Sequence, residues 1–256
     1  LVMRLLAWID GRVVEASELR LKSPYVMQRI HTLDGVAYNL EAHIDVLRRE
    51  SEHKFGFASV ISANDAQRII KRLLELSYVG GSLSVPVVMR LDDSASLTFE
   101  VESPTFGCGG YLRAKRDVGV VLTMNEPSSV AQTSVSVALD AMANSQVRPL
   151  GGNSAVWVDA EGKLISRPWC PIFVCYKGTW FTPTEYESVE YGVAVRAIEK
   201  VGQRVFVRDI PESALELIDE MFVADIMGIT SYASIKKHRL LSSVTTRIAT
   251  AMEPKI

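Results

Sequence analysis

Long apolar runs, an excess of one charge, metal-ligand spacings and glycine-rich nucleotide loops are all missing from this chain of 256 residues. No apolar stretch approaches the roughly 20 residues of a membrane span, which argues against a helical membrane protein. Lys and Arg number 28 against 30 Asp and Glu, so nucleic acid and anionic membranes find no electrostatic footprint. The three cysteines (Cys108, Cys170, Cys175) cannot pair completely, and reduced thiols in a cytoplasm are the expectation. Cys170 and Cys175 read as core or strand residues rather than as a redox pair. His31, His43, His53 and His238 show no H-x-x-x-H spacing, and Ser134 and Ser136 belong to no G-x-S-x-G elbow. The opening LVMRLLAW is short and runs straight into a hairpin, a poor signal peptide. Lysine is also absent between Lys115 and Lys163.

What is present is the patterning of a globular chain, 48% apolar and long enough for one large domain or two smaller ones. Trp8-Ile9-Asp10-Gly11-Arg12-Val13-Val14 predicts a hairpin, and a second one turns at Asp34-Gly35. Asn39 is placed to cap a helix that runs to Gly56, and Ile69, Ile70, Leu73, Leu74 and Leu76 predict an amphipathic helix after Asn64, ending near Gly80-Gly81. Strands are expected over 83–91 and 96–102, then a linker centred on PTFGCGG at 104–110. Beyond it come strands at 119–124, 155–158, 205–207 and 221–224, and helices near 137–146, 188–201 and 243–252. The domains expected are 1–106 and 119–256, joined by 107–118. Lys236-Lys237-His238-Arg239 reads as a solvated turn, and Gly151-Gly152 as a helix stop.

The residues from Gly151 to Pro183 give an apolar strand, the turn Asp159-Ala160-Glu161-Gly162, a second strand, a tight turn and Thr182-Pro183. With the two hairpins and Leu40-Glu41-Ala42-His43-Ile44, this pattern resembles the class-IV enzymes of pyridoxal phosphate (PLP): branched-chain and D-amino-acid aminotransferases and aminodeoxychorismate lyases. The resemblance covers nearly the whole chain. It implies an α/β (α+β) architecture of fold type IV, the second domain a pseudo-barrel, and a homodimer.

The residues that handle the cofactor in that family do not carry over. Val46 falls at the arginine that binds the cofactor phosphate, and valine offers no charged donor. Counting back from Ala155, the Schiff-base lysine position falls on Thr133, and no other side chain replaces a lysine amine in an internal aldimine. The glutamate beside the pyridine nitrogen falls on Ser166, followed by Arg167, which is electrostatically wrong beside a pyridinium. Pro168-Trp169-Cys170-Pro171 stands where the family has a small polar loop. Two further phosphate contacts match Gly192-Val193-Ala194 and the turn Ala224-Asp225-Ile226-Met227-Gly228, the first without its hydroxyl and the second with a carboxylate.

The reading is therefore a class-IV aminotransferase-like protein that has lost PLP binding and activity, with no cofactor. The alternative is an active PLP-dependent aminotransferase or 4-amino-4-deoxychorismate lyase whose lysine comes from elsewhere, Lys115 being the one to test. A third reading is other chemistry built on Cys170 or Ser166. Arg29, His31, Thr133, Ser166, Arg167 and Cys170 are the candidate pocket residues, lining either a repurposed site for a small anion or protein partner or a collapsed pocket. His43 reads as a helix-packing residue. No metal site is expected.

Overall fold

Asp10-Gly11 and Asp34-Gly35 both adopt left-handed backbone angles, with φ of 45° and 90° in the first pair and 51° and 76° in the second. Two consecutive positive φ values are what a two-residue hairpin turn of the favoured twist requires. They fold β1 (Leu6–Ile9) onto β2 (Arg12–Glu15) and β3 (Tyr25–Leu33) onto β4 (Val36–Ala37). The computed structural model describes residues 4–77, 84–103 and 112–252, with backbone alone at 112–115. The PTFGCGG segment with Cys108, and Gly80-Gly81, lie outside the described residues. Contacts divide the chain into two compact units, one of residues 4–77, 84–103 and 129–135, the other of 112–128 and 136–252.

In the first unit, β5 (Ser84–Asp92) and β6 (Leu97–Val101) complete the sheet order β2-β1-β6-β5-β3-β4, and β8 (Gln132–Thr133) adds to β3. α1 (Leu40–Phe55) and α2 (Ala63–Leu76) cover one face. Ile44 and Leu47 of α1 and Ile70 and Leu73 of α2 pack with Val26, Ile30, Val87, Met89 and Phe99 of the strands. Two caps differ from expectation. Asn39 stands at the cap of α1 in a left-handed conformation and its side chain makes no capping bond. α2 begins one residue before Asn64, at Ala63, because Ser62 Oγ accepts from Asp65 N and supplies the cap. His43 is fully buried, with Nδ1 2.8 Å from Gln28 Oε1 of β3. Burial pushes its pKa down to about 3, so the ring packs as a neutral group.

The second unit holds β7 (Leu112–Thr123), α3 (Ser134–Val147, from Ser136 on), β9 (Ser154–Val158), β10 (Ile172–Tyr176), β11 (Thr179–Thr182) and α4 (Val189–Lys200). It continues with β12 (Val205–Val207), β13 (Glu220–Asp225), β14 (Gly228–Ile235), β15 (His238–Arg239) and α5 (Ser243–Ala251). The strands order as β12-β11-β10-β13-β14-β7-β9, with β15 on β14. β7 starts at Leu112, inside the stretch expected as linker, because it pairs in parallel with β14. β10 and β13 are apolar on both faces. Ile172, Val174, Met221 and Val223 enter one core, whereas Phe173 and Phe222 stack at 5.1 Å on the other face, with Tyr191 of α4 5.9 Å from Phe173. A strand covered on both sides reads as a continuous apolar run. Gly152 is needed for close approach: a Cβ there would meet Val120 Cγ2 at 2.3 Å. Lys236 and Lys237 form the β14–β15 turn with positive φ, as the solvated-turn reading expects.

One buried carboxylate organises the end of this unit. Glu220 of β13 accepts from Ser243 Oγ (3.0 Å), Val244 N (2.9 Å), Thr245 N (2.7 Å) and Thr245 Oγ1 (2.7 Å). It thereby satisfies the free N–H groups of the first turn of α5, where a negative charge is also favoured by the helix dipole. Ser242, at the cap position, makes no side-chain capping bond of its own. Glu220→Gln turns an amide N–H₂ toward these donors, and a loss of roughly 2 kcal/mol is expected, the scale of a charge-assisted bond. Urea unfolding checks it: the midpoint should fall with an unchanged slope.

Candidate functional site

The turn Asp159-Ala160-Glu161-Gly162 is built as its sequence predicts. Asp159 Oδ1 accepts from Lys163 N at 2.7 Å, Gly162 N bonds Asp159 O at 3.1 Å, and Gly162 takes φ 74°. The chain then crosses Ser166 and makes a second tight turn, Arg167-Pro168-Trp169-Cys170, closed by Cys170 N on Arg167 O at 3.0 Å. Ser166 is 1% exposed, its Oγ accepting from Ile172 N at 3.1 Å. This hydroxyl fixes the start of β10.

Arg167 is the centre of the site. Its Nη1 donates to Asp140 Oδ1 on α3, and Trp169 Nε1 donates to the other oxygen, Asp140 Oδ2, at 3.0 Å. The guanidinium carbon lies 4.8 Å from the centroid of the Trp157 ring on β9, a cation–π distance. Burial disfavours its charge, but Cys170, Asp140 and Tyr232 around it outweigh that and raise the pKa above the ordinary arginine value. Tyr232 of β14 is fully buried, its hydroxyl 2.9 Å from Ser154 Oγ, and burial pushes its pKa up to about 12.

Around this cation stand more acids than bases. Glu190, in the first turn of α4, is 5% exposed. Burial raises its carboxyl to about 7 and the charge of Asp225 adds to the shift, with a bond to its own backbone N–H opposing. Asp225 turns β13 into β14 and accepts from Met227 N at 2.7 Å. Burial pushes the Cys170 thiol up to about 12; Arg167 opposes the shift, while Asp225, Asp140 and Glu190 reinforce it. Burial thus works against the thiolate at Cys170, the form a reactive cysteine needs.

The expected site residues divide between the two units. Ser166, Arg167 and Cys170 come together in the second, whereas Arg29, His31 and Thr133 belong to the first. Arg29 Nε donates to Glu102 Oε2 at 2.7 Å, so its charge is already matched by a carboxylate. His31 is fully buried on β3, its ring 5.9 Å from that of Tyr38. Thr133 ends β8 opposite Val26 and leads directly into α3. Val46 is 3% exposed within the apolar core of the first unit. Gly192-Val193-Ala194, expected at a helix start, lies inside α4; the start is Ser188-Val189-Glu190, with Ser188 Oγ accepting from Tyr191 N. Asp140, Trp157, Glu190 and Tyr232 were not legible as site residues. They are single residues on separate elements, and no spacing links them.

Among solved structures, the branched-chain aminotransferase of Thermoproteus uzoniensis with norvaline superposes with a TM-score of 0.79 at 18% identity, covering 97% of this chain and 93% of that one. The fold is that of the branched-chain aminotransferases. An aminotransferase from Brucella abortus bound to PLP gives 0.79 at 15% identity, with 97% of each chain covered. A putative branched-chain aminotransferase from Thermotoga maritima gives 0.78 at 14%, covering 98% and 95%. No protein-family model and no curated protein matches the sequence.

Within this aminotransferase fold, the buried Glu190 carboxyl sets a pH dependence with a definite sign. Its folded pKa, about 7, lies above the ordinary 4.5. The folded state therefore binds more protons between those values, and stability is lost as pH rises through 7. Glu190→Gln removes the titration. The variant should be more stable than the parent by about 1–3 kcal/mol at about pH 8 and little changed near pH 4.5. Urea midpoints of both proteins at the two pH values read this directly.

Proposed function

We propose that this chain is a class-IV aminotransferase-like protein that has lost PLP binding and activity, a pseudoenzyme. One observation carries the reading: every lysine whose side chain is described (Lys22, Lys54, Lys71, Lys163, Lys177, Lys200, Lys236, Lys237) is solvent-exposed. A Schiff-base lysine needs a desolvated pocket to lose its proton and hold an aldimine. Lys163 is instead raised in pKa by its bond to Asp209, and Lys236 by its bonds to Glu212 and Glu216.

The residues do not fit the cofactor in other respects. The positions the resemblance gives to a glutamate and a glycine hold Ser166 and Arg167, so the acid a ring nitrogen would need is missing there, and the adjacent guanidinium is paired with Asp140. The Arg167 charge is already met by Asp140, and Asp225 and Glu190 act on the neighbouring Cys170, a poor setting for a phosphate dianion. Val46 supplies no donor in place of the phosphate-binding arginine. The alternative, an active aminotransferase or 4-amino-4-deoxychorismate lyase, rests on Lys115, whose backbone pairs with Thr230 in β7. The resemblance also carries the expectation of a homodimer, and the three cysteines that of a cytoplasm. Among the described residues, no helix is long and apolar enough to cross a membrane.

Incubation with PLP, borohydride reduction and peptide mapping test the proposal. The purified protein is expected to be colourless and to show no stoichiometric adduct at any one lysine. A single adduct with internal-aldimine absorbance, abolished by Lys115→Ala, would establish the enzyme reading instead.

A further inference from the structure

At one end of the core of the second unit, the β10–β11 hairpin and the segment 208–218 leave a groove of about 310 Å³. It shares no residue with the cluster around Arg167. Val174, Ile210 and Ile218, members of the buried core, form its floor. Tyr176, Phe181 and Leu217 form its walls, and Leu217 is 64% exposed. Apolar surface of this kind next to solvent has a standing cost unless something covers it.

The charges at the rim say what the cover should carry. The Arg208 guanidinium carbon lies 5.6 Å from the centroid of Phe181, and Lys177 Nζ lies 5.2 Å from that of Tyr176. Neither cation has a carboxylate partner among the described residues. The nearby acids are engaged elsewhere. Asp209 pairs with Lys163 at 2.7 Å, Glu212 and Glu216 with Lys236 at 3.1 and 3.3 Å, and Asp219 accepts from the backbone N of Lys177 at 2.6 Å. The groove thus combines an apolar floor, two aromatic walls, Arg208 held on a ring face with Lys177 close to its wall, and one lining carboxylate, Asp209, already paired with Lys163.

We propose that this groove is a binding site for a small amphipathic carboxylate, its alkyl or aryl body on Val174, Ile210 and Leu217 and its head group on Arg208. A volume of about 310 Å³ suits a molecule of that size, at the lower end of ligand sites. The charged head exchanges the cation–π contact of Arg208 for a charge-assisted hydrogen bond, which is the stronger. The site stands whether or not an aldimine forms elsewhere in the chain.

Calorimetric titration of the full chain with octanoate, and with octanol as its uncharged counterpart, tests the proposal. Octanoate should bind at one site per chain, about tenfold or more tighter than octanol, the worth of one charge-assisted bond. Arg208→Gln should bring octanoate down to the affinity of octanol and leave octanol unchanged. Leu217→Glu, at an exposed position that does not threaten the fold, should weaken both. Absence of saturable octanoate binding, or octanoate binding unaltered in both variants, would overturn the assignment.

Discussion

The ion pair between Arg167 and Asp140 is the constraint on which the rest of the second unit's site depends. It ties the turn after β9 to α3, and both oxygens of Asp140 are committed, one to Arg167 and one to Trp169. The two side chains keep 14% and 18% of their exposure, so the pair is largely removed from water. Removing one partner of a buried pair costs about 3–5 kcal/mol because the other charge is left alone. With this slight exposure, the lower end of that range applies. A charge held so firmly also fixes its neighbours: Trp157 lies against its face, and the Cys170 thiol is packed beside it in the neutral form.

The same pair explains why an arginine in a cleft need not be an anion site. Arg167 is a permanent cation, yet its charge is already paired with Asp140 and its face lies against Trp157. Arg29, the other arginine that invited an anion, is matched by Glu102. Arg208 and Lys177, neither with a carboxylate partner among the described residues, rest on aromatic rings beside an apolar groove. Local charge balance, rather than the presence of a basic residue, separates a structural arginine from a binding one.

The fold was legible in the sequence where local chemistry fixes it. Asp10-Gly11, Asp34-Gly35 and the Asp159 turn announce their hairpins because few other residues accept those backbone angles. The apolar spacing of α2 is visible because one face alone is buried. β14 was missed, since Ser231, Tyr232 and Ser234 interrupt its apolar pattern although Ser231 and Tyr232 are fully buried in the sheet. The early start of β7 was hidden by the charged residues of 112–118, which pair with β14 across two register shifts. At the site, the positions where the resemblance fails were readable one by one. What replaces them was not, because Asp140, Glu190 and Tyr232 meet only through tertiary packing, and a buried glutamate looks like a surface one in sequence.

The proposed loss of PLP binding follows from Val46, Thr133, Ser166 and Arg167 standing where the resemblance expects the groups that hold the cofactor. Titration calorimetry with pyridoxamine phosphate tests it most directly, because that compound needs no lysine and reports on the pocket alone. The account predicts no saturable heat from the purified protein. Saturable binding of one pyridoxamine phosphate per chain would contradict it.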